Sequence, residues 1–300
     1  MSDAESAKRQ SSQPSVQSLL DELRPILRRV TKASIRGVGI HGCALRASVA
    51  KSFEFAALVH REPSLDHGFF VTSTLRGICE DLIVLSFLTP LSPGDRNEVV
   101  SLLMAKNVAD GIVAQSTFFK SMRPWQPVLQ PPSKTSSDTE ARLRTLAKTL
   151  GWTGKQPWPT VWFMAKAASL APLYSFIYAA TSKWVHFSPH VLLRMGWGGT
   201  SDAVGDDTEW SFTTSNFTQY NVEFNQVYAL MLFLHFVRGP AACIFPSDAA
   251  SIISALRSRL DSPLRWPEDV TFEEMNLKGP GSLQRILLRA AHEIGNADPS

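Results

Sequence analysis

The mostly apolar stretch between Gly68 and Gly94 holds only three charged residues, Arg76, Glu80 and Asp81. Arg76 and Glu80 form a pair, whereas Asp81 points about 100° away. The two paired residues are four positions apart and therefore share one face of a helix, and Thr72 extends the same row. An isolated charge is costly to bury, and buried charges are therefore usually paired with a neighbour of opposite charge. The pair predicts either a structural ion pair that fixes the helix register, or a Glu80 carboxylate that Arg76 holds as a general base or ligand group.

A second polar row, Tyr174, Tyr178, Ser182 and His186, repeats every four residues in another apolar segment. Histidine is the side chain best suited to proton transfer near neutral pH. Alternatively, the row satisfies buried tyrosine hydroxyls without any catalysis. We predict that both rows meet in one polar cluster, whose members and candidate catalytic residues are Arg76, Glu80, Ser182 and His186, with Tyr178 beside them.

Basic residues also recur near the N-terminus, at Arg24, Arg28, Lys32 and Arg36. On one helix they would form a row able to contact phosphates of a nucleic acid. The alternative is a solvated face opposite the leucines at positions 19, 23 and 27, since no aromatic residue interleaves with the row to stack on bases.

Several classes of protein are not indicated. The formal net charge of +3 does not demand a nucleic-acid partner. The sequence lacks HExxH, Walker A and GxSxG motifs and zinc-ligand spacings, so we expect no metal and no cofactor. Three scattered cysteines and a polar N-terminus without a secretory signal indicate a cytoplasmic protein. The longest apolar run, 227–237, is about half of the ~20 residues that a membrane span needs.

The elements that must position these residues are almost all helical. The apolar periodicity predicts helices over residues 19–30, 44–60, 65–88, 95–122, 140–150, 160–170, 172–187, 219–238, 247–260 and 282–292. Two short β-favouring runs predict a small β-hairpin within 191–215, and prolines mark 123–139 as an exposed loop. The expected fold is an all-α multi-helix bundle with that hairpin as an insertion and a C-terminal helical appendage. Its predicted divisions are a disordered tail (1–15), a helical core (16–245) and an extension packed on the core (246–300).

The stretch 75–80 (LRGICE), together with Tyr178, Ser182 and His186, resembles a family of mostly bacterial helical proteins that is known only as a domain of unknown function. The segment 267–276 is similar to that family's C-terminal part, and the resemblance covers about residues 40–280. It implies a helical body in which Arg, Glu, Ser and His meet, and it brings no established activity.

That family is distantly similar to HEPN-type helical domains, many of which bind or cut RNA in defence and toxin systems. Those nucleases carry an arginine and a polar residue, followed by four to six residues and a histidine. Here Arg61 and His67 have a suitable spacing, but Glu62 replaces the polar residue and Pro63 interrupts the helix.

Two functions follow as hypotheses. The first is a helical protein whose Arg/Glu/Tyr/Ser/His cluster serves a nucleic-acid-linked or defence role. The second is a non-catalytic interaction or dimerisation module in which the cluster is purely structural; a homodimer is then the expected assembly, since two-fold dimers are the commonest oligomers.

Overall fold

The computed structural model describes residues 14–61, 68–129, 133–152, 156–198, 210–263 and 265–270. Its fold is all-α, as the sequence predicts. The helices are α1 (Val16–Val30), α2 (Ile35–Arg61), α3 (Gly68–Val71), α4 (Thr74–Leu88), α5 (Pro93–Met122), α6 (Ser133–Thr149), α7 (Val161–Ala167), α8 (Ala171–Val185), α9 (Pro189–Arg194), α10 (Thr218–Arg238) and α11 (Ala250–Leu260). None of the helices in these ranges combines the length and apolar character needed to cross a lipid bilayer.

Helix α10 forms the centre of the core, because it is apolar around most of its circumference and such a helix must be buried on several sides. It packs most extensively against α2 and also contacts α3, α4 and α11. The rings of Phe53 on α2 and Phe233 on α10 meet edge to face at 5.5 Å, and both side chains are fully buried. The predicted long helix at 219–238 is therefore confirmed.

Helices α1 and α11 close one side of this core. The leucines of α1 (Leu19, Leu20, Leu23 and Leu27) are buried, and Ser15 caps the helix by accepting a hydrogen bond from the Ser18 N–H at 3.1 Å. The first part of the predicted C-terminal extension, α11, packs against α1 and α10. The predicted helix at 282–292 and the predicted tail up to residue 13 lie outside the described residues.

Several predicted boundaries are wrong. A single helix over 65–88 is not formed, because a turn at Thr72 and Ser73 separates α3 from α4; the Thr72 hydroxyl donates to the Gly68 carbonyl at 2.8 Å. The predicted loop 123–139 is helical from Ser133 onward, directly after two prolines in the sequence, and α6 packs against α5. Residues 192–194 belong to α9 rather than to a strand, since Pro189 starts a helix there.

The two strands of the predicted β-hairpin are formed and paired where they join the helical body. Strands β1 (Gly196–Gly198) and β2 (Trp210–Phe212) pair antiparallel, with Gly196 opposite Phe212. The Thr213 N–H extends the pairing to the Met195 carbonyl at 2.9 Å. The connection at 199–209 lies outside the described residues.

Helix α2 begins earlier than predicted and contains a kink at Gly39, whose φ is +72°. The side chain of Asn97 from α5 fills the kink: its Oδ1 accepts the His41 N–H at 3.0 Å. A left-handed residue inside a helix is tolerated there because glycine lacks a Cβ.

Candidate functional site

The predicted ion pair on α4 is formed. Arg76 Nε donates to Glu80 Oε1 at 2.9 Å, with 26% and 33% of the two side chains exposed. The hydrogen bond to Glu80 raises the pKa of Arg76, so the guanidinium stays charged at every accessible pH. The neighbouring residues Leu75, Ile78 and Cys79 are buried in the core. The pair thus lies at the edge of the core, where it is half-shielded from water.

The polar row on α8 meets this pair from the other side. Ser182 Oγ accepts a hydrogen bond from Arg76 Nη1 at 3.3 Å. The ring of Tyr178 lies 4.6 Å from the guanidinium carbon of Arg76, a cation–π distance, and Tyr174 packs on Tyr178 with ring centroids 5.3 Å apart. The structure therefore brings together Arg76, Glu80, Tyr178 and Ser182.

His186 does not join them, and its predicted place in the row is wrong. Helix α8 ends at Val185, and His186 is its C-cap with an extended backbone (φ −109°, ψ 163°). Its side chain is exposed and has no hydrogen-bond partner among the described residues. The four-residue spacing holds only while the backbone stays helical, and the Ser188-Pro189 sequence ends the helix too early for His186 to follow Ser182.

Thr72 does not extend the Arg76 row either. It is buried in the turn before α4, where its hydroxyl serves the Gly68 carbonyl. That carbonyl also accepts a hydrogen bond from Asn225 Nδ2 of α10 at 3.0 Å. Thr72 therefore stabilises the junction of α3 with the core.

The Cys79 thiol and the Tyr174 hydroxyl, which lie beside the ion pair, are both protonated near neutral pH. Burial and then the Glu80 carboxylate raise the pKa of Cys79 to about 12, so its thiol is not a nucleophile near neutral pH. Burial, followed by the Glu80 charge, also raises the pKa of Tyr174. Within the described residues no histidine hydrogen-bonds to Glu80 or Ser182. The observed contacts of the cluster join α4 to α8.

The predicted basic row is not formed. Helix α1 ends at Val30, so Lys32 lies in a connection and Arg36 belongs to α2. Arg24 points to α2, where Nη1 binds both carboxylate oxygens of Glu54 at 2.9 Å. Arg28, Lys32 and Arg36 are exposed. For all four cations to share one helix, α1 would have to continue from Val30 to Arg36, about another turn and a half.

Two ion pairs near the cluster are not predictable from the sequence. Lys51 of α2 binds Asp81 at 2.9 Å, and Lys183 of α8 binds Asp269 at 2.6 Å. Their partners come from distant segments, so no local spacing announces them. The charges on Asp81 and Lys183 were the only sequence signal.

A cleft of about 660 Å³ opens between the C-terminal ends of α4 and α10, the start of α8, and α11. Its charged and polar lining consists of Ser86, Thr89, His235, Arg238, Arg257 and Asp261. The remaining walls are mostly apolar, with Trp266 at one side. No local sequence pattern indicates this cleft, because its lining comes from five separate segments.

A third feature is the outward side of α5. At about 100° per residue, Met104, Val108, Phe118 and Met122 fall within one arc about 80° wide, opposite the buried Ala109 and Ser116. These four apolar side chains are between 53% and 63% exposed. The helix has three charged residues between 99 and 122, and all of them lie outside this arc. We call the arc, with Gly111 and Gln115, the α5 stripe.

Comparison of the chain with models of protein families, with curated proteins and with solved structures finds no match.

Proposed function

We propose that this protein is a self-associating, non-catalytic module that forms an antiparallel homodimer through the α5 stripe. The observation that carries the proposal is an uncharged, apolar face on the solvent side of a long surface helix. A surface helix ordinarily turns its charged residues outward and its apolar residues inward. Large exposed apolar patches on soluble proteins usually mark an interaction site.

The spacing of the stripe supports a second copy of the same chain as its partner. In an antiparallel pair of α5 helices with the two-fold axis level with residue 113, Met104 lies opposite Met122 of the second copy. Val108 then lies opposite Phe118, and Gly111 opposite Gln115. A two-fold interface requires such self-complementarity, since each residue must find its counterpart in the same surface.

Charge and shape agree with this arrangement. Lys106 and Asp110 neutralise each other at 2.6 Å, and both lie more than 100° around the helix from the centre of the stripe, so two stripes would meet without repulsion. At Gly111 an added Cβ would meet nothing within 4 Å, so the backbone is open to a neighbour. A small residue at the centre of a helix–helix contact lets two helices approach closely.

The available area suits a dimer of moderate strength. The half of the α5 surface that is centred on the stripe, and that includes the uncharged residues on both sides of it, is on the order of 450 Å² for a length of about 27 Å and a width of ~11 Å. Two such faces bury about 900 Å² in total, about three quarters of the ~1,200 Å² of small specific interfaces. Trp125 and Leu129, which follow α5 and are 75% and 68% exposed, would add to it. A dissociation constant in the micromolar range follows as the expectation.

In this proposal the Arg76 cluster is structural. The support is that its members satisfy one another across α4 and α8, while the one residue suited to proton transfer stands apart. The nucleic-acid-linked or defence role suggested by resemblance has no basic row to support it. A reducing compartment such as the cytoplasm agrees with the free thiol of the exposed Cys243.

Sedimentation velocity over a range of protein concentrations tests the proposal, with Val108→Glu as the disrupting variant. Val113→Glu is a matched control: it changes the same residue type on the same helix at similar exposure (51% against 57%), but about 140° around the axis. We expect a concentration-dependent dimer for the parent chain and Val113→Glu, and a monomer for Val108→Glu. A parent chain that is monomeric up to about 100 µM, well above the expected dissociation constant, would refute the proposal.

A further inference from the structure

We propose that the cleft between α4, α10 and α11 is a binding site for a small organic anion with an apolar body, such as an aromatic or acyl carboxylate, sulfonate or phosphate. This site is separate from the α5 stripe and does not depend on dimer formation. Its volume of about 660 Å³ falls within the ~300–1,000 Å³ that small-molecule sites occupy.

The arginines that line the cleft favour a negatively charged ligand. Arg238, in the last turn of α10, is exposed to the cleft and has no ion-pair partner among the described residues. Arg257 faces it from α11 and pairs with Asp261 at 3.5 Å, a long contact between two half-exposed side chains. The lining of the cleft therefore carries two guanidinium groups and one carboxylate, a net positive charge. Arginine is well suited to bind carboxylate, sulfonate or phosphate through paired hydrogen bonds.

The position of Arg238 at a helix C-terminus also favours a cation there, since the helix dipole is negative at that end. That interaction stabilises the charge without consuming the donors of the guanidinium. His235, one turn earlier, adds a ring whose pKa is lowered, first by the surrounding protein atoms and then by Arg238. The imidazole is therefore neutral at pH 7 and remains able to hydrogen-bond a ligand.

The rest of the cleft supplies an apolar wall. Leucines from four segments (Leu82, Leu170, Leu234 and Leu260) line it together with Met231 and Trp266. Ser86 lies on the same face of α4 as Leu82, and its hydroxyl has no hydrogen-bond partner among the described residues. The Thr89 hydroxyl, in contrast, donates to the Leu85 carbonyl. Ser86 is thus free to donate to the ligand's polar group. Convergent polar groups on a mainly apolar wall are typical of ligand sites.

The backbone beside the cleft holds one uncommon conformation. Ser169, between the cleft-lining Ala168 and Leu170, has a φ of +59°. It ends α7 in a left-handed turn, with the Leu170 N–H bonded to the Ala165 carbonyl at 2.7 Å. This turn directs Leu170 to the wall of the cleft. A serine in place of the usual glycine costs conformational energy, and such residues concentrate at functional sites.

Binding of 1-anilinonaphthalene-8-sulfonate (ANS), an aromatic sulfonate that fluoresces in apolar sites, tests the proposal. The neutral analogue N-phenyl-1-naphthylamine has the same ring system without the charge. Titrations use the Val108→Glu background, which removes dye binding to the α5 stripe. We expect one saturable ANS site and affinity for ANS at least tenfold higher than for the neutral analogue.

Arg238→Gln should weaken ANS binding about tenfold, the loss expected for one charge-assisted contact, and leave binding of the neutral dye unchanged. Arg144→Gln, which removes the same charge from the exposed surface of α6, is the matched control and should have no effect. Ala168→Phe, which fills the cleft without a change of charge, should weaken both dyes.

Equal ANS affinity in Arg238→Gln and the parent, with both proteins folded by circular dichroism, would overturn the proposal. So would equal affinity of the parent for the charged and the neutral dye, because the cleft would then be an apolar pocket without anion recognition. Neither result bears on the dimer.

Discussion

The guanidinium of Arg76 and the hydroxyl of Ser182 meet at 3.3 Å although 106 positions separate them in the chain. This contact joins α4 to α8, and Glu80 and Tyr178 hold the same guanidinium from two other directions. A side chain fixed by three partners is an anchor between two helices. The arrangement explains why a charged pair is retained at the edge of an apolar core.

A double-mutant cycle measures this anchor. Arg76→Gln and Glu80→Gln should each lower the free energy of unfolding by about 1 kcal/mol, and the double variant should lose less than the sum, because the pair is only partly buried. Ser182→Ala should cost about 0.5–1 kcal/mol. Urea denaturation followed by circular dichroism provides the values.

His186→Ala is the comparison for that cycle. Its side chain is exposed and has no hydrogen-bond partner in the described part of the chain, so the unfolding free energy should change by less than about 0.5 kcal/mol. A loss of more than about 2 kcal/mol, which takes a buried or networked contact, would place His186 inside the cluster after all.

Local sequence patterns predicted most of the fold but only part of the cluster. Periodicity identified α10 and the paired positions 76 and 80, since both depend on spacing within one helix. It placed His186 wrongly because the row was extended past a helix end that Ser188-Pro189 enforces. It also could not reveal the Asn97 contact at Gly39, the Lys51–Asp81 pair or the cleft, because these depend on how distant segments pack.

The kink in α2 should be intolerant of any side chain. Gly39→Ala introduces a Cβ at positive φ that would overlap the Asn97 amide, so we expect a loss of about 2–3 kcal/mol in the free energy of unfolding. Gly77→Ala, in the first turn of α4 with only the flexible Lys51 ammonium at 3.6 Å, should instead stabilise by about 0.5–1 kcal/mol. Equal effects of the two substitutions in thermal or urea melts would contradict this account of the kink.

At the left-handed turn after α7, a substitution to glycine should stabilise the protein. Ser169→Gly removes the conformational penalty of a φ of +59° and should stabilise the protein by about 0.5–1 kcal/mol. Ser101→Gly, at an exposed position inside α5, should be destabilising by a similar amount. The melting temperatures of the two variants should therefore move in opposite directions.

Two histidines of α2 should make the fold sensitive to acid. Burial lowers the pKa of His41, assisted by the charge of Arg96, and burial lowers the pKa of His60 more than its contact with the Ala56 carbonyl raises it. Both imidazoles are neutral in the folded state, so their protonation favours unfolding. The contribution of these two histidines to the free energy of unfolding is fully present above their pKa in the unfolded chain, about 6.5. It declines as the pH falls from there toward their lowered pKa values in the folded protein.

Urea midpoints between pH 7.5 and 5 check this dependence. The slope of the unfolding free energy against pH should become shallower in His60→Gln, which cannot be protonated. An unchanged slope in His60→Gln would show that this imidazole does not titrate differently on folding.

The central claim, an antiparallel dimer of α5 helices, is tested most directly by cross-linking two single-cysteine chains in a background that lacks the native thiols. One chain carries Met104→Cys and the other Met122→Cys, and a bismaleimide about 8–10 Å long matches the separation of packed helices. We predict a cross-linked dimer when the two chains are mixed and little or none with either chain alone, since like positions then lie about 27 Å apart along the axis. Cross-linking of each chain with itself, or no cross-linking in the mixture at concentrations where the protein is dimeric, would contradict the account.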